Sequence, residues 1–343
     1  MSKSEADFAS LLKALAAGEH LSAADSAAAF SAMMAGTISE MRMAAFLTAL
    51  AVRGPSVAEI TGAARAMRAA MTPVEAPKGA IDVCGTGGDG AGTLSVSTAT
   101  AFIVAACGVA VAKHGNRAMS SRAGAADVLE VLGVPINLDA NAAARSLADS
   151  GFAFLFAPAF HPAMKNVAPV RRELGFRTVF NLLGPICNPA RVNRQLIGIF
   201  AQEWLEPVAN VLADLGTEKA WIVHGADGLD EMTTTGVTRV AVLERGHVTV
   251  RDVTPEDAGL KRASLSALKG GTAEENAAAI TNLFDGAKNA FRDIVLLNAA
   301  AALVVADKAK SLKDGVARAA EAIETGRARA ALEKARLKED ART

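Results

Sequence analysis

The 343-residue sequence contains no tyrosine and only 4% aromatic residues, although 51% of its residues are hydrophobic. Small aliphatic residues, alanine above all, must therefore supply most of the core, and they favour closely packed helices. The scarcity of aromatic side chains argues against a surface on which nucleic-acid bases stack. An excess of charge is also lacking, because 36 basic and 36 acidic residues give a formal net charge of zero. A general nucleic-acid binder needs an excess of Lys and Arg, so we expect no nucleic-acid partner.

Long apolar runs and clustered cysteines are missing as well. The longest apolar runs, 99–112 and 294–306, are shorter than the roughly 20 residues that cross a membrane, and Asn298 interrupts the second. The first residues are polar and partly acidic, which does not fit a signal peptide. Three widely spaced cysteines predict neither a zinc site nor a disulfide framework. We therefore expect a cytoplasmic protein that does not contact a membrane.

The pattern of the chain changes after about seventy residues. Up to that point there are only helical patterns, and Ser56 with Glu59 has the spacing of a capping box. Beyond a proline-bearing linker, short apolar runs alternate with helical patterns, which is typical of βαβ units and a parallel sheet. Glu244-Arg245-Gly246 separates two such runs and predicts a hairpin. We predict an α/β fold with a small α-helical domain at 1–72 and a larger α/β domain with a mainly parallel sheet at 78–343.

Residues 85–98 form a glycine-rich loop between a predicted strand and a predicted helix. Five glycines fall within eight residues, and threonine and serine hydroxyls follow them. Glycine allows the backbone to approach an anion and to direct N–H groups at it, while the helix start adds its dipole. The loop is neither a Rossmann fingerprint nor a P-loop, because no Gly-Lys-Ser/Thr closes it. It predicts phosphate binding, and the alternative is a flexible turn with a helix cap.

A second polar loop, 113–121, directly follows another predicted strand. Lys113, His114 and Arg117 give it positive charge. In an open parallel sheet, ligands bind beyond the carboxyl ends of the strands, where this loop and the glycine-rich loop would both lie. The second loop therefore predicts another part of an anion site, and the alternative is a solvated basic loop.

Three arginines crowd a short stretch in the middle of the chain. Arg171, Arg172 and Arg177 each carry a planar fork of donors that suits a carboxylate or a phosphate. The alternative for each of them is a surface ion pair with Glu173.

Two adjacent acids, Asp230 and Glu231, follow a predicted strand at 221–223. Paired carboxylates beside a polyphosphate are typical of Mg²⁺ sites, because this ion prefers hard oxygen ligands. The alternative is a solvated acidic loop.

Four sequence blocks occur in a recognisable order. They are GTGGDG at 85–90, KHGNR at 113–117, HPAMK…VRRELGFRTVFNLLGP at 161–185 and VHGADGLDE at 223–231. With these blocks the chain resembles the anthranilate phosphoribosyltransferase family over essentially its whole length. The resemblance implies Mg²⁺-dependent transfer of the phosphoribosyl group of 5-phosphoribosyl 1-pyrophosphate (PRPP) to the amine of anthranilate, with release of pyrophosphate, in tryptophan biosynthesis.

The resemblance also implies an organisation for the chain. A segment at about 161–186 would return to the helical domain, and the site would lie in the cleft between the domains. The protein would form a homodimer through the helical domain. The alanine- and methionine-rich faces of residues 28–49 are either that interface or core.

Roles for individual residues follow from the same resemblance. PRPP would contact Gly85, Gly88, Asp89, Thr93, Ser95, Val96, Ser97, Thr98, Lys113, His114, Gly115, Asn116, Arg117, Ala118, Met119, Ser120, Ser121 and Ala125. Anthranilate would contact Gly85, Asn116, His161, Arg171 and Pro185. Ser97, Asp230 and Glu231 would bind Mg²⁺. Asn116 and Arg171 would position the nucleophile, and His114 is the leading candidate for a general base.

Two positions depart from the family pattern. Ser95 stands where the family commonly has asparagine, and Ala125 where it commonly has a serine that contacts PRPP. We expect altered affinity from these changes, not loss of function. Two other classes share the fold. A nucleic-acid-binding relative would be expected to have a basic surface, and a pyrimidine nucleoside phosphorylase would have a Lys-Ser motif in the glycine loop; the sequence has neither.

Overall fold

The amino-terminal part of the molecule is a bundle of four helices. A computed structural model describes residues 3–118 and 122–336, with side chains from Asp7 onward. The four helices are α1 (Lys3–Ala16), α2 (Ala23–Met34), α3 (Glu40–Arg53) and α4 (Val57–Ala70). Ser22, Ser39 and Ser56 precede the last three helices, and each side chain accepts a hydrogen bond from a backbone N–H of the first turn. Ser56 and Glu59 form both bonds of a capping box, as predicted.

A seven-stranded sheet forms the centre of the α/β part of the described chain. The strands are β1 (Ile81–Gly85), β2 (Val111–Gly115), β3 (Phe152–Phe156), β4 (Arg194–Gly198), β5 (Lys219–Gly225), β6 (Thr238–Glu244) and β7 (His247–Val253). Their order is β3-β2-β1-β4-β5-β6-β7; the first five are parallel, and β6 and β7 are antiparallel. Arg245 and Gly246, with φ of 50° and 80°, join β6 to β7 in the predicted hairpin; Glu244 is the last residue of β6, so the turn has two residues and not three.

Helices cover both faces of the sheet. The helices that follow α4 are α5 (Val96–Ala106), α6 (Ala125–Val131), α7 (Ala140–Ser150), α8 (Ala157–Phe160), α9 (Ala168–Leu174), α10 (Phe180–Ile186), α11 (Leu205–Asp214), α12 (Ala273–Phe284), α13 (Ala290–Val305), α14 (Leu312–Glu324) and α15 (Arg327–Ala335). One core joins a sheet face to α5, α6 and α12 to α15. Another joins the opposite face to α11 and the helical bundle. The predicted fold class, a small helical domain with a larger α/β domain and a mainly parallel sheet, is confirmed.

The chain returns to the helical bundle between 162 and 186. Asn166 donates a hydrogen bond from Nδ2 to the carbonyl oxygen of Met34 at 2.6 Å. The ring of Phe180 in α10 packs against that of Phe30 in α2, with centroids 5.4 Å apart. Apolar contact therefore continues from the bundle through this segment to the sheet. None of the helices in the described ranges is both long and apolar enough to cross a membrane.

Candidate active site

Four of the parallel strands end on glycine at one edge of the sheet: Gly85, Gly115, Gly198 and Gly225. A Cβ atom on Gly85 would lie 2.4 Å from Oδ2 of Asp230, and one on Gly198 would lie 1.5 Å from the Asp230 carbonyl oxygen. The loop that follows β5 therefore rests directly on the ends of β1 and β4. Sequence reasoning missed Gly198, although a glycine at a strand end beside a candidate loop is a usable signal for such a close approach.

The glycine-rich loop runs outward from the end of β1. Its left-handed residues Gly87, Gly88, Gly90 and Gly92 have φ between 60° and 74°. The N–H of Gly87 donates to Asp230 Oδ2 at 2.7 Å, and the guanidinium of Arg177 donates to the Gly88 carbonyl oxygen. Arg177 also stacks on the ring of Phe200 at 4.3 Å. The first half of the loop is thus bound to the acidic loop and to the segment that returns to the bundle.

The second half of the glycine-rich loop is held by the chain before α12. Thr93 forms a β-bridge with Lys269, and Leu94 N–H donates to the Leu268 carbonyl oxygen at 2.9 Å. At the start of α5, the N–H of Ser95 donates to Oδ1 of Asn276 at 2.7 Å. The predicted PRPP residues Thr93 and Ser95 are therefore held in place through their backbone.

Unpartnered hydroxyls lie beside this loop. Thr86 Oγ1 and Thr98 Oγ1 are buried and have no hydrogen-bond partner among the described residues. Val96, the first residue of α5, lies between these two threonines in the sequence and is also buried. A buried polar atom without a partner is costly, so these two hydroxyls are available to a bound ligand.

Asp89, Asp230 and Glu231 form an acidic cluster, and Ser97 and Lys113 interact with Glu231. Burial, and then the nearby carboxylate of Asp89, raise the pKa of Asp230. Burial, and then Asp230, raise the pKa of Glu231, which Lys113 and the N–H of Ser97 oppose. A cation bound between buried carboxylates offsets their repulsion, and oxygen ligands suit Mg²⁺. The donor set of Ser97, Asp230 and Glu231 therefore fits the predicted metal.

Lys113 connects this acidic cluster to the sheet. It is 1% exposed, and its Nζ donates to the Val83 carbonyl oxygen at 2.6 Å and to Ser97 Oγ at 3.1 Å. Within the described ranges, no set of three His, Cys, Asp or Glu side chains is arranged to bind a metal by itself. A Mg²⁺ ion here would need the Ser97 hydroxyl, water or substrate oxygens to complete its octahedron.

Two histidines, one in β2 and one after α8, pack against each other. The rings of His114 and His161 are 5.1 Å apart between centroids. Burial, and then His161, lower the pKa of His114 to about 3, and burial lowers the pKa of His161 to about 4. Both rings are therefore neutral at pH 7. Because Nδ1 of His114 lies 2.9 Å from the Gly184 carbonyl oxygen, it carries the proton, and Nε2 is a buried acceptor without a partner among the described residues.

Replacing His161 by Phe is expected to make the fold less sensitive to acid. The unfolded histidine protonates below its ordinary pKa of about 6.5, whereas the folded one stays neutral down to about pH 4. Stability is therefore lost as the pH falls through this window, by about 1 kcal/mol at pH 5.5. We expect His161→Phe to gain about 1 kcal/mol on the parent between pH 8 and pH 5.5, measured by urea unfolding. An equal difference between the two proteins at both pH values would contradict the neutral burial of His161.

Asp82 is a buried acid that contacts the backbone of His114, and sequence reasoning missed it. Asp82 in β1 accepts from the N–H of His114 through Oδ1 at 3.1 Å and from Asn188 Nδ2 through Oδ2 at 2.7 Å. Asn188 Nδ2 also donates to the Ala112 carbonyl oxygen. Burial raises the pKa of Asp82 to about 6, and Lys113 opposes the shift. A lone acid within an apolar strand is a weak sequence signal, because its partners lie far away in the chain.

Arg171 is a half-buried cation in α9. Its guanidinium lies over the ring of Phe180 at 5.3 Å, and burial lowers its pKa. It forms neither an ion pair nor a side-chain hydrogen bond with any residue that the structure describes. No ion pair joins Glu173 to Arg171, Arg172 or Arg177 among the described residues. The alternative of surface ion pairs with Glu173 is therefore wrong for all three arginines. A partly desolvated guanidinium without a partner among the described residues has the geometry that suits a carboxylate.

Arg117 turns away from the strand ends. Its guanidinium forms ion pairs with Asp127 at 2.8 Å and Glu130 at 2.6 Å, both in α6. Asn116, before it, is exposed, and its Oδ1 accepts from the N–H of Arg117 at 2.8 Å. The N–H of Ala118 donates to Asp127 at 3.1 Å. The Arg117 side chain therefore anchors the second loop to α6, while Asn116 faces solvent.

The other residues predicted for the site have diverse positions. Gly115 ends β2 where a Cβ would lie 2.7 Å from the ring of Phe154, and Ala125 begins α6. Pro185 is buried in α10, and its carbonyl oxygen accepts from Gln195 Nε2. Met119, Ser120 and Ser121 lie outside the described residues.

A helical bundle joined to an α/β domain, with a glycine-rich loop and an acidic cluster at the parallel strand ends, defines a two-domain transferase of the glycosyl transferase class. Residues 9–71 match the model of the glycosyl transferase family helical bundle domain, and residues 77–329 match its a/b domain. A protein named anthranilate phosphoribosyltransferase from Azospirillum brasilense is 58% identical to this chain, over 95% of this chain and 92% of the relative. One of the same name from Rhodopseudomonas palustris is 55% identical, over 95% of this chain and 96% of the relative. The chain belongs to the anthranilate phosphoribosyltransferase family and is an enzyme.

Solved structures agree with this assignment. The anthranilate phosphoribosyltransferase of Thermus thermophilus superimposes with a TM-score of 0.89 at 47% identity, over 94% of this chain and 97% of that one. The Saccharomyces cerevisiae enzyme in complex with PRPP and Mg superimposes with a TM-score of 0.88 at 29% identity, over 96% and 97%.

Proposed function

We propose that this enzyme transfers the phosphoribosyl group of PRPP to the amine of anthranilate, giving N-(5-phosphoribosyl)anthranilate and pyrophosphate in tryptophan biosynthesis. One observation carries the proposal: the molecule combines a glycine loop and buried acids suited to a metal-bound polyphosphate with an unpaired arginine suited to a carboxylate. These two receptors match the two substrates. Family membership supports the same reaction.

PRPP is proposed to bind across the ends of β1 and β2. Backbone N–H groups of the glycine-rich loop would face its phosphates, and the hydroxyls of Thr86 and Thr98 add donors. The buried ammonium of Lys113, bonded to Ser97 Oγ, would add positive charge behind them. Ser97, Asp230 and Glu231 would hold Mg²⁺, which when bound neutralises charge on the pyrophosphate. The repulsion among the acids supports this assignment.

The chemistry needs a stabilised leaving group more than a base. Departure of pyrophosphate leaves positive charge on ribose C1, and donors already aimed at the pyrophosphate oxygens lower the barrier. The amine of anthranilate is neutral at pH 7, so a strong base is not required. His114 has a pKa of about 3 and accepts protons poorly at neutral pH. We propose that its Nε2 instead accepts a hydrogen bond from the amine and orients it, together with Asn116.

Replacing Arg171 by Ala is expected to weaken anthranilate use strongly. An arginine–carboxylate contact contributes about 1.5–3 kcal/mol, so the KM for anthranilate should rise about 10- to 100-fold. The KM for PRPP should change little. Initial rates at varied anthranilate and saturating PRPP measure the effect.

Two neighbouring variants serve as controls for that experiment. Arg171→Lys keeps the charge but loses the fork, and should be intermediate. Arg172→Ala removes an exposed arginine from the same helix and should behave as the parent. A rise in the KM for PRPP in place of that for anthranilate would show that the role given to Arg171 is wrong.

The overall reaction has a direct test. The purified protein is mixed with PRPP, Mg²⁺ and anthranilate, and the fluorescence of the aromatic ring is followed. Turnover that depends on all three components is expected. Folded protein without turnover would refute the proposed reaction.

We also propose a homodimer formed through the helical domain, in the cytoplasm. Met41 and Val52 on α3 are 83% and 84% exposed, whereas Met33 and Met43 belong to the core. Exposed apolar side chains on one helix suit an interface. Three unpaired cysteines suit a reducing compartment. The molar mass from light scattering, and cell fractionation, would test the two proposals.

A further inference from the structure

One polar side chain lies within the otherwise apolar middle of α13. Asn298 is 0% exposed and is flanked by the buried residues Leu297 and Ala299. Its Oδ1 accepts from the N–H of Met232 at 3.0 Å. Its Nδ2 donates to the carbonyl oxygens of Met232 and Ile294, both at 2.9 Å. Both amide hydrogens and the amide oxygen are therefore used.

This amide pairs with both backbone groups of a single residue. Met232 is itself 0% exposed, and its N–H and carbonyl have no other partner among the described residues. Two hydrogen bonds to one residue fix the peptide planes on both of its sides. Met232 directly follows Glu231, so one of those planes is the peptide that leaves Glu231.

The acidic pair is thereby held from three directions. The carbonyl of Asp230 lies against Gly198, and its carboxylate accepts from the N–H of Gly87. On the other side of the pair, Asn298 fixes the chain at Met232. Contacts at Gly87, Gly198 and Asn298 come from three different parts of the fold, so the direction of the two acids is determined by tertiary structure.

We propose that Asn298 is a positioning residue for the metal site: through the Met232 backbone it sets the direction of the Asp230 and Glu231 carboxylates and so the affinity for Mg²⁺. A buried amide is costly unless it is fully paired. Leucine is branched at the same carbon but cannot form hydrogen bonds, so Asn298→Leu leaves the buried N–H and carbonyl of Met232 unpaired and tests this contact directly. The inference rests on the proposed binding of Mg²⁺ by Asp230 and Glu231.

The first test measures metal binding without turnover. Mg²⁺ is titrated calorimetrically into the intact protein with PRPP present and anthranilate absent, comparing the parent with Asn298→Leu. Loss of a partner that hydrogen-bonds a metal ligand directly typically weakens metal binding about 10- to 100-fold. Because Asn298 acts through the backbone of the next residue, we expect the lower end, about 10-fold. Activity should require more Mg²⁺, while kcat at saturating Mg²⁺ should approach that of the parent. Hydrogen exchange of the backbone at 229–233 should become faster.

Controls separate this role from general stability. Leu303→Ala removes apolar packing from the same helix but none of the hydrogen bonds to Met232, and should lower stability but leave Mg²⁺ affinity within about twofold of the parent. If Asn298→Leu does not fold, Asn298→Ser replaces it, since a serine hydroxyl returns to the Ile294 carbonyl and leaves Met232 unpaired. Parent-like Mg²⁺ affinity in the folded variant would overturn the inference.

A further variant distinguishes failure of the inference from failure of the metal assignment. If Asp230→Asn with Glu231→Gln also leaves Mg²⁺ affinity unchanged, the proposed metal site itself is wrong. If the double variant loses Mg²⁺ binding and Asn298→Leu does not, only the positioning role is refuted.

Discussion

Replacing Asp230 by Asn and Glu231 by Gln is expected to abolish most activity while making the folded protein more stable. The substitutions keep the side-chain shapes but remove the two negative charges that would hold Mg²⁺. A bound metal contributes several kcal/mol to stabilising transition-state charge, so kcat/KM should fall by about 1000-fold or more. The dependence of the remaining rate on Mg²⁺ should disappear.

The expected gain in stability has an electrostatic cause. Burial raises the pKa of both carboxyls, and the repulsion of Asp89 on Asp230 and of Asp230 on Glu231 raises it further, which means that their charged forms oppose folding when no cation is bound. Neutral amides remove this cost, so the free energy of unfolding should rise on the order of 1 kcal/mol without Mg²⁺. Urea unfolding in a chelating buffer, together with initial rates, measures both effects.

Asp227 provides a matched control in the same loop. Its carboxylate accepts from the hydroxyls of Thr233 and Thr235, both at 2.6 Å. Asp227→Asn loses an acceptor that has donors, so it should lower stability and leave the Mg²⁺ dependence of the rate unchanged. A double variant at 230 and 231 that is destabilised, or that still responds to Mg²⁺, would contradict the interpretation of the acidic pair.

Replacing Gly198 by Ala is expected to displace the acidic loop. The new Cβ would lie 1.5 Å from the carbonyl oxygen and 2.3 Å from the carbonyl carbon of Asp230. Both atoms belong to the backbone and cannot rotate away, so the loop must move by at least about 1 Å. A displacement of this size near reacting groups costs about 100-fold in rate. Overpacking should also lower the free energy of unfolding by about 1–3 kcal/mol.

Gly236, in the segment between β5 and β6, is the corresponding control. A Cβ there would have no heavy atom within 4 Å. Gly236→Ala should therefore change stability by less than about 0.5 kcal/mol and leave kcat near that of the parent. Steady-state kinetics and urea unfolding of both variants measure the changes in kcat and in the free energy of unfolding. Parent-like activity in Gly198→Ala would mean that the contact between β4 and Asp230 is not needed.

Elements governed by nearby residues are predictable from the sequence. The capping box of Ser56 and Glu59 lies within one helical turn, and the turn at Arg245 and Gly246 joins strands that are adjacent in the chain. Both were predicted, because the interactions that form them span only a few residues. The alternation of strands and helices likewise indicated the parallel sheet, since a parallel connection requires a crossover.

For the candidate site, too, the sequence predicted the local segments but not the contacts between distant residues. The glycine-rich loop, the basic second loop, the arginine-rich stretch and the acid pair were all found from composition and spacing. The family was identified from the resemblance of four sequence blocks. Their roles in binding stay predictions. The partner of each side chain did not follow from the sequence: Arg117 pairs with Glu130, whereas Arg171 has no ion-pair partner among the residues that the structure describes. Local patterns contain no information on which of two arginines meets an acid from another helix.

The sequence by itself therefore determined the fold class, the family and the segments that carry the chemistry. Tertiary structure alone decided that Gly198 must lack a side chain, that Asp82 lies beneath His114 and that Asn298 holds Met232. It also decided the protonation of His114, because burial is a property of the assembled molecule. The physical reason is common to all of these. Each depends on contacts between residues distant in the chain, and only folding brings those residues within a few ångströms of one another.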